Sequence, residues 1–253
     1  MKRDIELKAT LIAFERPAWT QSGRRLDWKI EMIMKDAICL GCDVVRQIDV
    51  SMSVAGCDCG GKVLLLLNED AFRIGRLAHR LGSGYYAHSA ILDIVSKMDH
   101  SHPIDYTKSR DVIRKDGTRQ TFLFDYYLRE SFRNVQIKGD LDRVWLAGAL
   151  IALGDALEKS KYFDRAPHLE LVRHLRNGVS HGNKFRIDNP EKLKTYPANN
   201  FSAPVKSPTA NRFEVTPSIN GHNVMFDFME PADFLDLFAA VEIHMFSIAI
   251  GVA

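Results

Sequence analysis

The residues best suited to chemistry lie in one short run, Leu175-Arg176-Asn177-Gly178-Val179-Ser180-His181-Gly182. Histidine has an ordinary pKa of about 6.5, so near neutral pH it can take or give a proton. Arginine is permanently charged and grips a phosphate with a planar fork. Asparagine orients a neighbouring group by hydrogen bonding. Together these types suit cleavage of RNA by its own 2′-hydroxyl. One proton leaves that hydroxyl, another reaches the departing 5′-oxygen, and a cation offsets the charge that builds on the phosphoryl oxygens. The chemistry requires no metal ion, and DNA lacks the 2′-hydroxyl, so RNA is selected. A plainer reading stands beside it. Arg, His and Lys are favoured at helix C-termini by the dipole, and His181-Gly182 is an ordinary helix ending.

For these groups to converge, residues 167–181 must be helical. Pro167 suits the first turn and Gly182 a stop. At about 100° per residue, Leu171, Leu175 and Gly178 fall on one side with Val172 and Val179 beside them. Arg173, Asn177, Ser180, His181 and Lys184 fall on the other. Asn177 and His181, four apart, share a face. Arg176 lies roughly 140° round from His181. It is expected to reach the same region through its length, through local distortion at Gly178, or through a symmetric second copy. Arg173, His174, Lys184 and Arg186 form a positive patch suited to phosphates, with solvated helix charge as the plain alternative.

The run resembles the signature of HEPN domains: an Arg, a polar residue, and a His separated from the Arg by four to six residues. The spacing here is four, with Asn177 as the polar residue. The resemblance spans roughly residues 68–253, its specificity residing in those eight. It implies a helical bundle, and many members of the family are ribonucleases of toxin–antitoxin, phage-defence and CRISPR systems, paired so that two motifs form one cleft. On that likeness the chain is expected to be a metal-independent endoribonuclease leaving 2′,3′-cyclic phosphate and 5′-hydroxyl ends. His181 would be the general acid or base, Arg176 would stabilise the phosphorane and Asn177 would orient the groups. Arg173, Ser180, Lys184 and Arg186 would bind RNA. The implied partners are RNA, a second copy meeting the first through the motif face, and an antitoxin or regulatory protein. Some members are non-catalytic. The alternatives are therefore a module that binds a nucleotide, RNA or protein, and one half of a complex active only when its partner is removed. A subset carries a Tyr two residues after the His, the target of a nucleotidyltransferase antitoxin; Asn183 stands there, which argues against that partner.

Around this helix the expected class is mainly α: a HEPN-like bundle over residues 67–253 with a small β-hairpin insertion, preceded by an extension over residues 1–66. Residues 6–12 suit a strand or a short helix, and residues 26–48 follow a helical period weakened near Gly41. Residues 68–98 read as one long helix or two, with Asn68 or Asp70 as cap and a kink or break at Gly82-Ser83-Gly84. Residues 100–117 read as a loop and 121–134 as an aromatic-rich helix. Residues 139–159 read as a helix capped by Asp140 with Val144, Ala147, Leu150, Ile151 and Leu157 on its apolar side. Four prolines forbid a long helix over residues 186–212. Apolar segments at 213–216 and 224–227 flank Asn220-Gly221 as a hairpin. Pro231 opens a last amphipathic helix.

All four cysteines lie at Cys39, Cys42, Cys57 and Cys59. So tight a cluster does not suit a secreted disulfide framework. The expectation is reduced thiols partly in the core, with a structural zinc site as the minority alternative. Cys39-x2-Cys42 has a familiar zinc spacing and Cys57-x-Cys59 a less usual one. No cofactor is expected to be required. The chain has 46% hydrophobic residues and a net charge of +2. That balance suits a packed domain and excludes a generally polycationic binder, so a nucleic-acid surface must come from local clustering. No apolar run is long enough for a membrane span, and no signal peptide is seen at the start, so a cytoplasmic location is expected. Tyr85, Tyr86 and His88 suit core or interface packing more than base contacts. His79, His100, His102 and His222 lack metal-ligand spacing, and no phosphate-binding glycine loop or nucleophile elbow is present.

Overall fold

The computed structural model describes residues 34–39, 42, 44–49, 57–97, 109–124, 126, 130, 133–193, 205–206 and 212–252. The expected strand or helix over residues 6–12 and the start of the expected helix over residues 26–48 lie outside them. Of the described residues, 57% are helical and 17% strand. The expectation of a mainly α bundle is thereby corrected to a mixed α and β fold. In chain order come β1 (Met34–Cys39), β2 (Val45–Asp49), β3 (Val63–Leu65), α1 (Glu69–Lys97), β4 (Ser109–Ile113), β5 (Arg119–Leu123) and α2 (Val135–Lys159). A 3-10 turn (Phe163–Arg165) precedes α3 (Pro167–Ser180) and the single turn α4 (Pro190–Leu193). Then come β6 (Val205–Lys206), β7 (Arg212–Phe213), a second 3-10 turn (Pro217–Ile219) and α5 (Pro231–Ala249).

The largest departure is at the start. Where a helix was expected up to residue 48, β1 forms the centre of an antiparallel sheet of order β2-β1-β3. It pairs Ile38 with Val45 on one side and with Leu64 on the other. Ala37, Ile38 and Cys39 are consecutive and all buried. A strand covered on both faces has no apolar alternation to betray it, and its spacing then imitates a helix. The second departure is β4–β5, where a loop and the first residues of a helix were expected; the described residues of that helix beyond β5, from 124 to 133, are helical. Asp116-Gly117 makes the turn, with Gly117 at φ +83 and the Thr118 N–H donating to Asp116 Oδ1 at 2.9 Å. Nearly every residue of this hairpin is exposed, so it too lacks an apolar signature; the turn dipeptide was its one signal. The hairpin expected across Asn220-Gly221 does not form. β7 pairs instead with β6, while Phe213, Val215, Val224 and Met225 are all drawn into the core.

The helices follow the sequence more closely. Asn68 caps α1, its Oδ1 accepting from the Ala71 N–H at 3.0 Å. The helix runs unbroken through Gly82-Ser83-Gly84, where Trp145 of α2 packs across it and donates from Nε1 to the Leu81 carbonyl at 3.2 Å. α2 begins earlier than expected because Asn134, not Asp140, caps it, Oδ1 accepting from the Gln136 N–H. Its buried stripe is Leu146, Leu150, Leu153 and Leu157, while Val144 is 69% exposed. α5 lies on α1 through stacking of Phe72 and Phe246, centroids 5.7 Å apart, and a 3.0 Å contact between His79 Nδ1 and Glu242 Oε1. Phe234, Phe238, Val241 and Met245 of α5 meet the α2 and α3 leucines in one core. Each such side chain stabilises the fold by about 2 kcal/mol through burial. The β1–β3 sheet joins this core at Ile38 and Leu66. Its last strand is followed by Leu66 and Leu67, whose N–H groups donate to the Asp36 and Ala249 carbonyls, both at 2.8 Å.

Candidate functional site

α3 sets the site. Leu169, Leu171, Val172 and Leu175 are completely buried, which locks the rotation of the helix and so fixes which residues face outward. Gly178 does not distort it, since the helix continues to Ser180. A Cβ at Gly178 would collide with the Val224 side chain and lie 3.3 Å from the Lys184 carbonyl oxygen, so glycine there lets the following loop close against the helix. His181 is the C-cap, its N–H donating to the Asn177 and Gly178 carbonyls at 3.1 and 3.2 Å. Gly182 (φ +81) and Asn183 (φ +63) then reverse the chain. Asn183 fastens the reversal, its Oδ1 accepting from the Met225 N–H at 2.9 Å and its Nδ2 donating to the Met225 carbonyl at 3.3 Å.

The returning segment and α4 enclose, with α3, a cleft of about 530 Å³. Arg173, His174, Asn177 and His181 of the α3 segment line one wall, and Arg186 and Lys192 line the other. The cleft is cationic, with Asp188 as its acidic member. His181 is exposed, so its imidazole is accessible to a ligand.

Arg173 is held from behind. Glu170 is the one buried charged residue of the described chain, and Arg173 pairs with it through both Nε, at 2.6 Å, and Nη2. Burial pushes the Glu170 carboxyl up, against the lowering effect of Arg173. His174 Nε2 lies 3.4 Å from the same carboxylate oxygen. Burial first, and the neighbouring Arg173 charge second, bring the His174 pKa down to about 4. His168 on α3 and His244 on α5 form an edge-on pair with centroids 4.6 Å apart, and the Nε2 atom of each is buried without a partner. Burial, then His244, lowers His168 to about 4.

Arg176 is placed differently from the other motif residues. It points to α2, with Nη2 at 2.5 Å from Asp155 Oδ1 and 3.3 Å from Glu158 Oε2. Its stem lies over Gly154, where a Cβ would sit 2.8 Å from Arg176 Cγ; glycine there admits the close approach. Its Nη1 donates to Asn177 Oδ1 at 3.2 Å. Arg176 therefore reaches the cleft through Asn177 and does not itself line it.

Of the residues singled out from sequence, the cleft brings together Asn177, His181, Arg173, His174 and Arg186. Ser180 and Lys184 are exposed and do not line it. Sequence reasoning missed Lys192. Its signal was the Asn189-Pro190 start of α4, where Asn189 Oδ1 accepts from the Glu191 N–H at 3.1 Å and turns the chain toward the cleft.

The cysteines make a second constellation. Cys39 and Cys42 come from the β1–β2 end, Cys57 and Cys59 from the turn before β3, and their four sulfurs all lie within 4.8 Å of one another. Cys39 and Cys59 are 3.3 Å apart, and Cys42 and Cys57 3.5 Å. The Gly61 N–H, 3.4 Å from Cys59 Sγ, favours its thiolate. The surrounding Cys39, Cys57 and Cys42 thiols outweigh it and push Cys59 up to about 12.

No helix among the described residues is long and apolar enough to cross a membrane. Compared with family models, with curated proteins and with solved structures, the chain finds no match.

Proposed function

We propose that the α3 cleft binds RNA and cleaves it without a metal ion, as a HEPN-type endoribonuclease. The observation that carries the reading is one exposed histidine, His181, in a cleft whose walls bear Arg173, Arg186 and Lys192. Guanidinium and ammonium groups grip phosphate, and an accessible imidazole transfers protons near neutral pH. In the reaction the 2′-oxygen loses its proton and bonds to phosphorus, the bond from phosphorus to the 5′-oxygen breaks, and that oxygen takes a proton. His181 serves one of the two transfers. A second copy, meeting the first through the motif face, supplies the other. Arg176 is a positioning residue: by holding Asn177 Oδ1 it leaves the Asn177 amide N–H groups for a phosphate oxygen. No cofactor takes part in the reaction. The setting that goes with this reading is a cytoplasmic toxin–antitoxin or phage-defence system, with an antitoxin or regulatory protein restraining the cleft.

A second reading, a module that binds RNA or a nucleotide without turnover, is favoured by the engagement of Arg176 with Asp155 and Glu158. That pairing leaves the transition state to Arg173, Arg186 and Lys192. Cleavage of a structured RNA by wild type and His181→Ala separates the two, with EDTA present and the protein's zinc content checked before and after. The expected loss is about 10²–10⁴-fold, with 2′,3′-cyclic phosphate ends in the wild-type product. Equal cleavage by both proteins sinks the nuclease reading. Tight RNA binding by both without cleavage establishes the second.

A further inference from the structure

We infer that Cys39, Cys42, Cys57 and Cys59 form a tetrathiolate site that binds one zinc ion and holds the β1–β3 sheet in place. Zinc is bound by thiolates at about 2.3 Å in tetrahedral geometry, which sets neighbouring sulfurs about 3.8 Å apart. The sulfur pairs at 3.3 and 3.5 Å, with all four inside 4.8 Å, describe a cluster of that size. The backbone brings them there independently of one another. The Cys39 N–H donates to the Val44 carbonyl at 3.1 Å, closing the turn that carries Cys42. The Gly60 N–H donates to the Cys57 carbonyl at 2.8 Å, closing the turn that carries Cys59. Two tight turns, from chain segments separated by a whole strand, thus present two sulfurs each to one point.

The surroundings suit a doubly negative metal centre. Arg46 of β2 pairs at 3.0 Å with Asp58, the residue between Cys57 and Cys59, which places a cation next to the second turn. A neighbouring cation and an N–H donor to Cys59 Sγ are the outer contacts that tune metal thiolates. The sheet also has little else to hold it. Among the described residues from 34 to 66 the buried hydrophobic ones are Ala37, Ile38, Cys39, Cys57 and Leu66, and a unit with so few gains most from a metal or a disulfide. The spacing of the sulfurs decides between these. Two disulfides would join sulfurs at about 2.05 Å in separate pairs, whereas here each of the four is close to the other three.

The test is made on the full chain, purified without chelator. Elemental analysis should give about one zinc per chain. The protein reloaded with cobalt(II) should show the intense sulfur-to-metal charge-transfer and ligand-field bands of tetrahedral thiolate coordination. All four thiols should resist a thiol reagent until a strong chelator is added. Stripping the metal should abolish amide-exchange protection in β1 and β3 and leave α3 protected. Cys59→Ser, at an exposed position, should shift the cobalt bands even where the fold persists. A folded protein with little zinc after zinc is supplied and with four freely reactive thiols overturns the proposal, as does one with two disulfides.

Discussion

The cysteine turns and the α3 cleft gather their polar groups by opposite means. In the cleft, the rotation of α3 is set by four leucine and valine side chains with no exposure at all, and the outward residues follow from it. At the cysteines, the sheet buries few apolar side chains, two hydrogen-bonded turns bring the four sulfurs within 4.8 Å of one another, and on the proposal above the bound ion ties those turns together. A site positioned by a core tolerates loss of one of its own polar groups without losing its shape. A site positioned by its own ligands does not. The exposed histidine of the cleft should therefore be removable without unfolding, while stripping a zinc ion from the proposed cysteine site should unfold the β1–β3 sheet.

The comparison is broken most severely from the core side. Leu171→Ala removes a fully buried side chain behind the cleft and should lower stability by about 2–5 kcal/mol, read by urea unfolding. RNA cleavage should fall with the folded fraction, while the zinc content per folded chain should stay unchanged. Loss of zinc in this variant would mean that the two regions form one cooperative unit.

Acid should act next, and on the cleft side. His168 and His174 have pKa values near 4 in the folded protein, below the ordinary histidine value. The unfolded chain therefore binds more protons between about pH 6.5 and 4, and stability is lost as pH falls through that window. The slope is about 1.4 kcal/mol per pH unit for each histidine. Glu170, whose carboxyl is raised by burial, runs the other way: its protonation stabilises the fold as pH falls and offsets part of the loss. Unfolding followed from pH 7 to 5 in His168→Gln should show a shallower decline than wild type. An identical slope would mean that this imidazole is not held neutral.

The smallest expected effects sharpen the picture of the cleft itself. Arg186→Ala and Lys192→Ala should each weaken RNA binding several-fold and lower the dependence of log affinity on log salt by about 0.7, read by fluorescence anisotropy across salt concentrations. Lys184→Ala, whose side chain lies outside the cleft lining, should change neither. An equal effect at Lys184 would move the RNA path off the cleft and onto the exposed end of α3.

Much of the helical frame was legible in the sequence. Proline at the first turn and glycine past the last residue bounded α3, Asn68 capped α1, and Pro231 opened α5, because caps and breakers act over a few residues and need no distant partner. The β elements were not legible, for two reasons. β1 buries three consecutive residues, Ala37 to Cys39, and the β4–β5 hairpin is exposed on both faces, so neither shows the period of two that marks a half-buried strand. The segment around Asn220-Gly221 had the composition of a hairpin, but Val215, Val224 and Met225 are bound into the shared core, and core burial overrode the local preference.

The motif divides in the same way. That Asn177 and His181 share a helix face follows from their spacing alone, as does the segregation of Leu171 and Leu175 to the other side. That Arg176 turns from them to Asp155 and Glu158 does not. It depends on α2 packing beside α3 with Gly154 at the crossing, a partner that sequence spacing cannot supply. The sequence likewise determined that four thiols exist within 21 residues. Only the sheet register, which folds the second turn back beside the first, decided that they meet at one point. Local propensity is settled within a few residues, whereas the convergence of distant side chains is set by how whole elements bury their apolar faces.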